Sequence, residues 1–245
     1  MRRLIKLSSF LLVVKFQTYG QNPSTIQVNS HEFAQLIYTE EGVFLDVRTQ
    51  REFQNGHIPD AGNLNYYAFD FRRRLLLLPK DQPIYLYCNT GYRSDRAADF
   101  LIRNGYERVY NLQHGIMEWD LYELPVAIDP NAQPDMDDRF EPADFADLIN
   151  SEPVVFIDFY APWCGPCRQM MPMIDSLKTE YHERIPVVKV NADASKRLMR
   201  ELKLVTVPYL VLYRNGEIVF DHRGVMKREE VVSLLESNMP GTGKP

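Results

Sequence analysis

Between Asp129 and Asp138 the chain reads Asp-Pro-Asn-Ala-Gln-Pro-Asp-Met-Asp-Asp, and no other stretch constrains the fold as strongly. Two prolines and four aspartates in ten residues give no apolar periodicity and nothing to build a core from, so the stretch reads as an extended linker. On either side, strand-like and helix-like segments alternate. Before it, Val43 to Val47, Ile84 to Tyr87 and Val109 to Leu112 are short apolar strands. Ser94 to Asn104 puts Ala97, Ala98, Leu101 and Ile102 on one helical face, with the serine as cap. After it come a strand from Val154 to Tyr160, a helix from Cys164 to Tyr181 and a strand from Val187 to Val190. A hairpin follows, Leu210–Tyr213 and Ile218–Phe220 turning at Asn215-Gly216, then an amphipathic helix from Lys227 to Ser237. Such alternation predicts two α/β domains over 21–126 and 140–245, joined by 127–139, with mostly parallel sheets covered on both faces. No internal repeat is visible.

Charge narrows the partners. Residues 21–138 carry 10 basic and 18 acidic side chains, and the whole chain stands at −5. A body this acidic has no bulk attraction to nucleic acid, which excludes nucleic-acid binding as a first reading. Only three cysteines are present, Cys88, Cys164 and Cys167. They are too few for a disulfide-stapled module or an all-cysteine zinc site, so they are read as reacting rather than bracing. No metal or cofactor is expected.

Residues 1–20, MRRLIKLSSFLLVVKFQTYG, place a basic start before the apolar stretch Phe10 to Val14. This layout predicts a secretory signal peptide cut after Gly20, too short to span a bilayer. Lys15 and Thr18 depart from the ideal pattern. The expectation is a periplasmic or secreted protein with no stable membrane insertion after cleavage. The alternative is a frayed basic helix on a cytoplasmic protein.

Trp163-Cys164-Gly165-Pro166-Cys167 follows a strand and opens a helix. Unpaired backbone N–H groups and the positive helix end there stabilise a thiolate at Cys164, read as exposed, with Cys167 one turn later and buried behind it. That order suits dithiol exchange; a structural disulfide or half a metal site is the bland alternative. Phe156 to Cys167 closely resembles the thioredoxin family signature, and the likeness covers nearly all of 140–240. It implies a thioredoxin fold with a mixed sheet. It also implies that Asp158 is a buried carboxylate assisting Cys167, that Lys189 is its lysine partner, and that Val207-Pro208 is the cis-proline loop. In the same way Trp163 and Gly224 line the substrate groove and Pro172 kinks the helix. Pro162 departs from the charged residue many members carry, which is expected to tune partner choice. Gly-Pro between the cysteines resembles the reducing members.

In the first half, Cys88-Asn89-Thr90-Gly91-Tyr92-Arg93-Ser94 leaves a strand and enters a helix. The loop's N–H groups, with Gly91 at the turn and Arg93 adding charge, form a cradle for an anionic sulfur. Cys88 is then a nucleophilic thiolate, against the bland reading of a core cysteine. Leu45-Asp46-Val47-Arg48, Glu52-Phe53, Gly56 to Asn63, the Cys88–Ser94 loop and Leu112 to Ile116 with Trp119 resemble a single rhodanese domain, although His114 replaces a usual glycine. The resemblance implies that Cys88 takes the outer sulfur of a sulfane donor such as thiosulfate, holds it as a persulfide and passes it on. In this reading Asn89, Thr90, Gly91, Tyr92 and Ser94 shape the substrate site. Four residues separate Cys88 from Arg93, one fewer than in the phosphatase loops of related folds, so a phosphatase is the minor alternative.

Together the halves suggest a thiol-disulfide oxidoreductase joined to a sulfurtransferase, with Cys164 attacking the Cys88 persulfide to release sulfide. Protein disulfides and an external thiol reductant are the other expected partners. Two rivals remain: independent halves, or a reductase whose first half only docks partners or senses sulfide. Arg72-Arg73-Arg74 is read as a solvated helix face. His57 is read as structural, and Tyr66, Tyr67, Phe69 and Phe71 as core or rim.

Overall fold

The structure is a computed structural model describing residues 24–134 and 136–239. The expected signal peptide lies outside the described residues. In the first half the elements run β1 (Ile26–Val28), α1 (Ser30–Thr39), β2 (Val43–Asp46), α2 (Gln50–Gln54), β3 (Gly62–Asn63), α3 (Phe71–Leu75), β4 (Ile84–Tyr87), α4 (Tyr92–Arg103), β5 (Val109–Leu112) and α5 (Gly115–Leu121). The five strands form one parallel sheet in the order β1-β5-β4-β2-β3. All four residues of β4 are buried, as a central parallel strand requires. Its two faces pack against separate apolar clusters, Ile84 and Leu86 with Leu101 on one side, Tyr85 and Tyr87 with Trp119 on the other.

In the second half come α6 (Pro142–Ser151), β6 (Val154–Tyr160), α7 (Gly165–Glu180), β7 (Val187–Asn191), α8 (Lys196–Glu201), β8 (Tyr209–Arg214), β9 (Glu217–Arg223) and α9 (Arg228–Ser237). The sheet order is β7-β6-β8-β9, with β6 parallel to β7 and antiparallel to β8, so this sheet is mixed. The hairpin turns at Asn215-Gly216, but β9 extends to Arg223 because pairing with β8 continues beyond the apolar Ile218–Phe220 run. Pro172 lies inside α7.

The expected linker is fastened at both ends. His57 and Ala127 exchange both backbone hydrogen bonds, at 2.9 and 2.8 Å, and Asp129 N donates to Gln54 O. At the far end Asn191 N donates to Asp138 O, Tyr160 Oη donates to the Asp138 carboxylate, and Phe140 N donates to Ser195 Oγ. Composition alone suggested a free tether, yet backbone groups bind regardless of side-chain polarity. The domains also meet directly. Helix α5 packs on α8, and Met117 packs against the second domain's apolar cluster. Lys196 pairs with Asp120 at 3.0 Å, and Arg200 with Glu123 at 3.6 Å. No helix among the described residues is long and apolar enough to cross a membrane.

Candidate active sites

Strand β6 is buried at every position and delivers the chain to Ala161, after which Cys164 caps α7. The Cys164 sulfur accepts the Cys167 N–H at 3.2 Å, so a helix-terminal donor points at the sulfur. Cys164 and Cys167 form a disulfide with their Cα atoms 5.2 Å apart. The Val207–Pro208 peptide is cis, and Val207 O lies 3.7 Å from Cys164 Sγ. Gly224 N donates to Pro208 O at 3.0 Å, tying the end of β9 to this loop. Trp163 Nε1 donates to Asp193 at 3.0 Å. The reading of Cys164 as exposed needs correction, since only 4% of it meets solvent and it belongs to the apolar cluster on which Met117 packs.

Asp158 lies in the middle of β6 with 1% exposure, and its Oδ1 has no hydrogen-bond partner. Burial pushes its carboxyl up to about 7, against the opposing field of Lys189. Register places Lys189 opposite Asp158 on β7, but its ammonium pairs instead with Asp175 at 2.8 Å and Asp138 at 3.6 Å. The expected lysine partnership is therefore one of field, not of contact.

Cys88 directly follows β4 and is 1% exposed. Gly91 has φ +83°, and a Cβ there would lie 2.0 Å from Gln113 O, so only glycine fits. Helix α4 starts at Tyr92 with Gly91 as cap, three residues before the expected serine cap. Ser94 sits in the first turn and donates from Oγ to Gly91 O at 3.0 Å. The loop is held from two sides. The N-terminus of α5 donates from Ile116 N to Cys88 O at 2.8 Å and from Met117 N to Asn89 O at 3.1 Å. From α2, Glu52 accepts from Asn89 Nδ2 at 2.7 Å and from both terminal nitrogens of Arg93, at 2.6 and 3.1 Å. Arg48, locked to Asp46 at 2.7 Å, donates to Asn89 Oδ1 at 3.1 Å.

The Arg93 charge expected in the sulfur cradle is thus matched by Glu52. Burial alone would raise the Glu52 carboxyl, but the Arg93 bonds and charge bring it below the ordinary value. Thr90, Gly91 and Tyr92 line a separate shallow depression with Gln27 and Asn111. Between the domains lies a cleft of about 290 Å³, walled by Arg48, Glu52 and Tyr67 on one side and Pro162, Trp163 and Arg168 on the other. Elements of both candidate sites therefore face a common space, a convergence the linker sequence did not foretell. Glu52 as organiser of the Cys88 loop was also missed, although Thr49 three residues before Glu52 is a readable capping box. Met117 and Asp193 gave no signal.

A dithiol at a helix start beside a cis-proline loop, and a cysteine in a tight strand-to-helix loop on a parallel sheet, define a two-domain thiol protein. Family models agree: the Thioredoxin model matches residues 138–237 and the Rhodanese-like domain model matches 29–121. The thioredoxin of Porphyra purpurea is 36% identical over 89 residues, covering 36% of this chain and 83% of that protein. That of Haemophilus influenzae is 30% identical over 98 residues, covering 40% and 92%. The chain belongs to the thioredoxin family, as a fusion with a rhodanese-like domain. The two domains support an oxidoreductase and a sulfurtransferase in general terms, with protein disulfides and sulfur donors as substrate classes.

Proposed function

We propose that the protein reduces sulfane sulfur by coupling its two thiol sites. The Cys88 thiolate attacks a donor such as thiosulfate, takes its outer sulfur as a persulfide and expels sulfite. The Cys164 thiolate then takes that sulfur, and Cys88 leaves as a thiolate. Cys167 attacks Cys164 Sγ, hydrosulfide leaves, and the Cys164–Cys167 disulfide closes. The transferred sulfur gains two electrons and the dithiol loses two, so an external thiol reductant must reset it. Asp158, titrating near neutrality, is the base that takes the Cys167 proton. Gly165-Pro166 between the cysteines supports a reducing dithiol. The proposal includes an extracytoplasmic location, on the strength of the basic apolar leader.

The observation that carries this reading is the cleft with Glu52 and Tyr67 on one wall and Trp163 on the other. Intact mass spectrometry of reduced protein treated with thiosulfate tests it, with Cys164→Ser alongside. The variant is expected to keep one extra sulfur on Cys88 while the parent loses it and gains the disulfide; equal retention in both defeats the coupling. A second reading, a protein-disulfide reductase whose first half only docks partners, draws support from the burial of Cys88 and the matching of Arg93 by Glu52. Under it neither protein gains sulfur and insulin reduction survives.

A further inference from the structure

A groove of about 540 Å³ lies on the first domain, between the 66–72 segment that runs into α3 and the outer face of α4. Arg72, Arg96 and Arg103 line it, and among the described residues none of them has a carboxylate within ion-pair distance. Arg72 belongs to the row read as a solvated face, yet its guanidinium lies over the Phe100 ring at 5.6 Å. Arg96 lies over Tyr92 at 5.1 Å. The carboxylate in the lining, Asp99, accepts from Thr25 Oγ at 3.3 Å. Three positive charges against one form a basic island on a stretch, 21–138, that carries 10 basic and 18 acidic side chains.

Aromatic surface lines the same groove. Tyr66, Phe69 and Phe100 contribute to it, and Phe69 is wholly exposed, at 109%. An apolar ring left in water among unpaired guanidinium groups belongs to a contact surface, not to a core. Arg96 and Arg103 stand seven residues apart on one face of α4, about 10 Å along its axis. An extended chain covers about that length in three residues, so carboxylates at i and i+3 meet both arginines while a residue between them faces the aromatic lining. A flat anionic membrane does not enter such a groove, and the surrounding carboxylates repel a phosphate polymer. The chain's own ends do not fit either: residues 1–20 carry four basic groups and no acid, and 240–245 one lysine and no acidic side chain.

We infer that this groove docks an extended acidic segment of a partner protein, with carboxylates on Arg96 and Arg103 and an apolar side chain against Phe69 and Phe100. The groove is one ring removed from the Cys88 loop: Tyr66 packs edge-on against Tyr67 at 5.4 Å, and the Arg93 guanidinium lies over Tyr67 at 5.7 Å. No cysteine takes part in the docking. The inference concerns recognition and stands whether or not the two thiol sites are coupled.

Isothermal titration calorimetry of the full chain tests it, with the acetylated and amidated peptide Glu-Phe-Pro-Glu-Leu-Pro-Glu, whose carboxylates recur at every third position. Saturable one-to-one binding is expected, weakening as salt is raised. Arg96→Gln and Arg103→Gln should each weaken it about two- to fivefold, as for loss of an exposed ion pair. Phe69→Ser should weaken it too. Arg74→Gln, on α3 but outside the groove lining, should leave it unchanged. All four side chains are exposed, so the variants keep the fold, which thermal unfolding checks. Equal binding of the peptide with glutamine in place of glutamate, an equal loss in Arg74→Gln, or no saturable heat at millimolar peptide overturns the inference. So does tighter binding to phosphatidylglycerol vesicles that the groove variants lose, which assigns the face to a membrane. Equal competition by free citrate assigns it to a small polycarboxylate and rejects the protein segment.

Discussion

Asp158 carries its functional and energetic consequences in the same carboxyl. Its value near 7 in the folded protein, against about 4 for a free side chain, means that the folded state holds a proton which the unfolded chain has lost between those pH values. Stability therefore falls as pH rises from about 4 to about 7, by up to about 4 kcal/mol, and stays low above. Asp158→Asn removes the titrating group. It is expected to flatten this pH dependence in denaturant unfolding and to raise stability at pH 8, while slowing the Cys167 step in single-turnover disulfide exchange. A parallel pH profile in parent and variant would refute the assignment. Glu52 makes the opposite case: its carboxyl is held low, so its contribution is present above the ordinary carboxylate range and fades on acidification. Glu52→Gln leaves the buried Arg93 without its countercharge. The expected loss is about 2–4 kcal/mol by thermal unfolding, with a lower yield of sulfur on Cys88 by mass spectrometry.

At the scale of elements, each cysteine depends on how a helix begins. Gly91→Ala places a methyl group against the Gln113 carbonyl at a positive φ, so the Cys88 loop must rebuild. We expect a loss of at least about 2 kcal/mol and no persulfide, with the Cys164–Cys167 dithiol still reducing insulin. Insulin activity and persulfide yield falling together would mean that the loop supports both domains. These junctions were largely legible in the sequence. Apolar runs marked β4 and β6, and the glycine and cysteine spacings marked the turns that follow, because local backbone demands leave local signatures. The start of α4 was misplaced because Ser94 bonds back to Gly91 O from inside the first turn, which sequence does not distinguish from a cap. Lys189 was read as the neighbour of Asp158, correctly by register, but its ammonium went to Asp175 and Asp138, since a long side chain selects solvated carboxylates over a desolvated one. Glu52 was invisible as the loop's anchor because its partners Asn89 and Arg93 lie far away in sequence.

For the whole molecule, the docking of α5 on α8 brings Glu52 and Tyr67 of one domain to face Trp163 of the other across the cleft. Lys196→Glu sets like charges against Asp120 and should loosen the contact, seen as a larger radius of gyration by small-angle scattering and faster proteolysis within 127–139. Adding Asp120→Lys restores an opposite pair and should recover the compact form. An unchanged scattering profile in Lys196→Glu would show that the ion pair does not hold the domains. The crossing segment, bonded to His57 at one end and to Asn191 at the other, bears on the kinetic order of sulfur handover. Under the proposed coupling, donor and acceptor sulfurs belong to one molecule whose crossing segment is anchored at both ends, so their meeting would be a first-order event. A preloaded Cys88 persulfide should then discharge with a half-time that does not change on dilution. The same chain cut into separate halves would slow in proportion to its concentration.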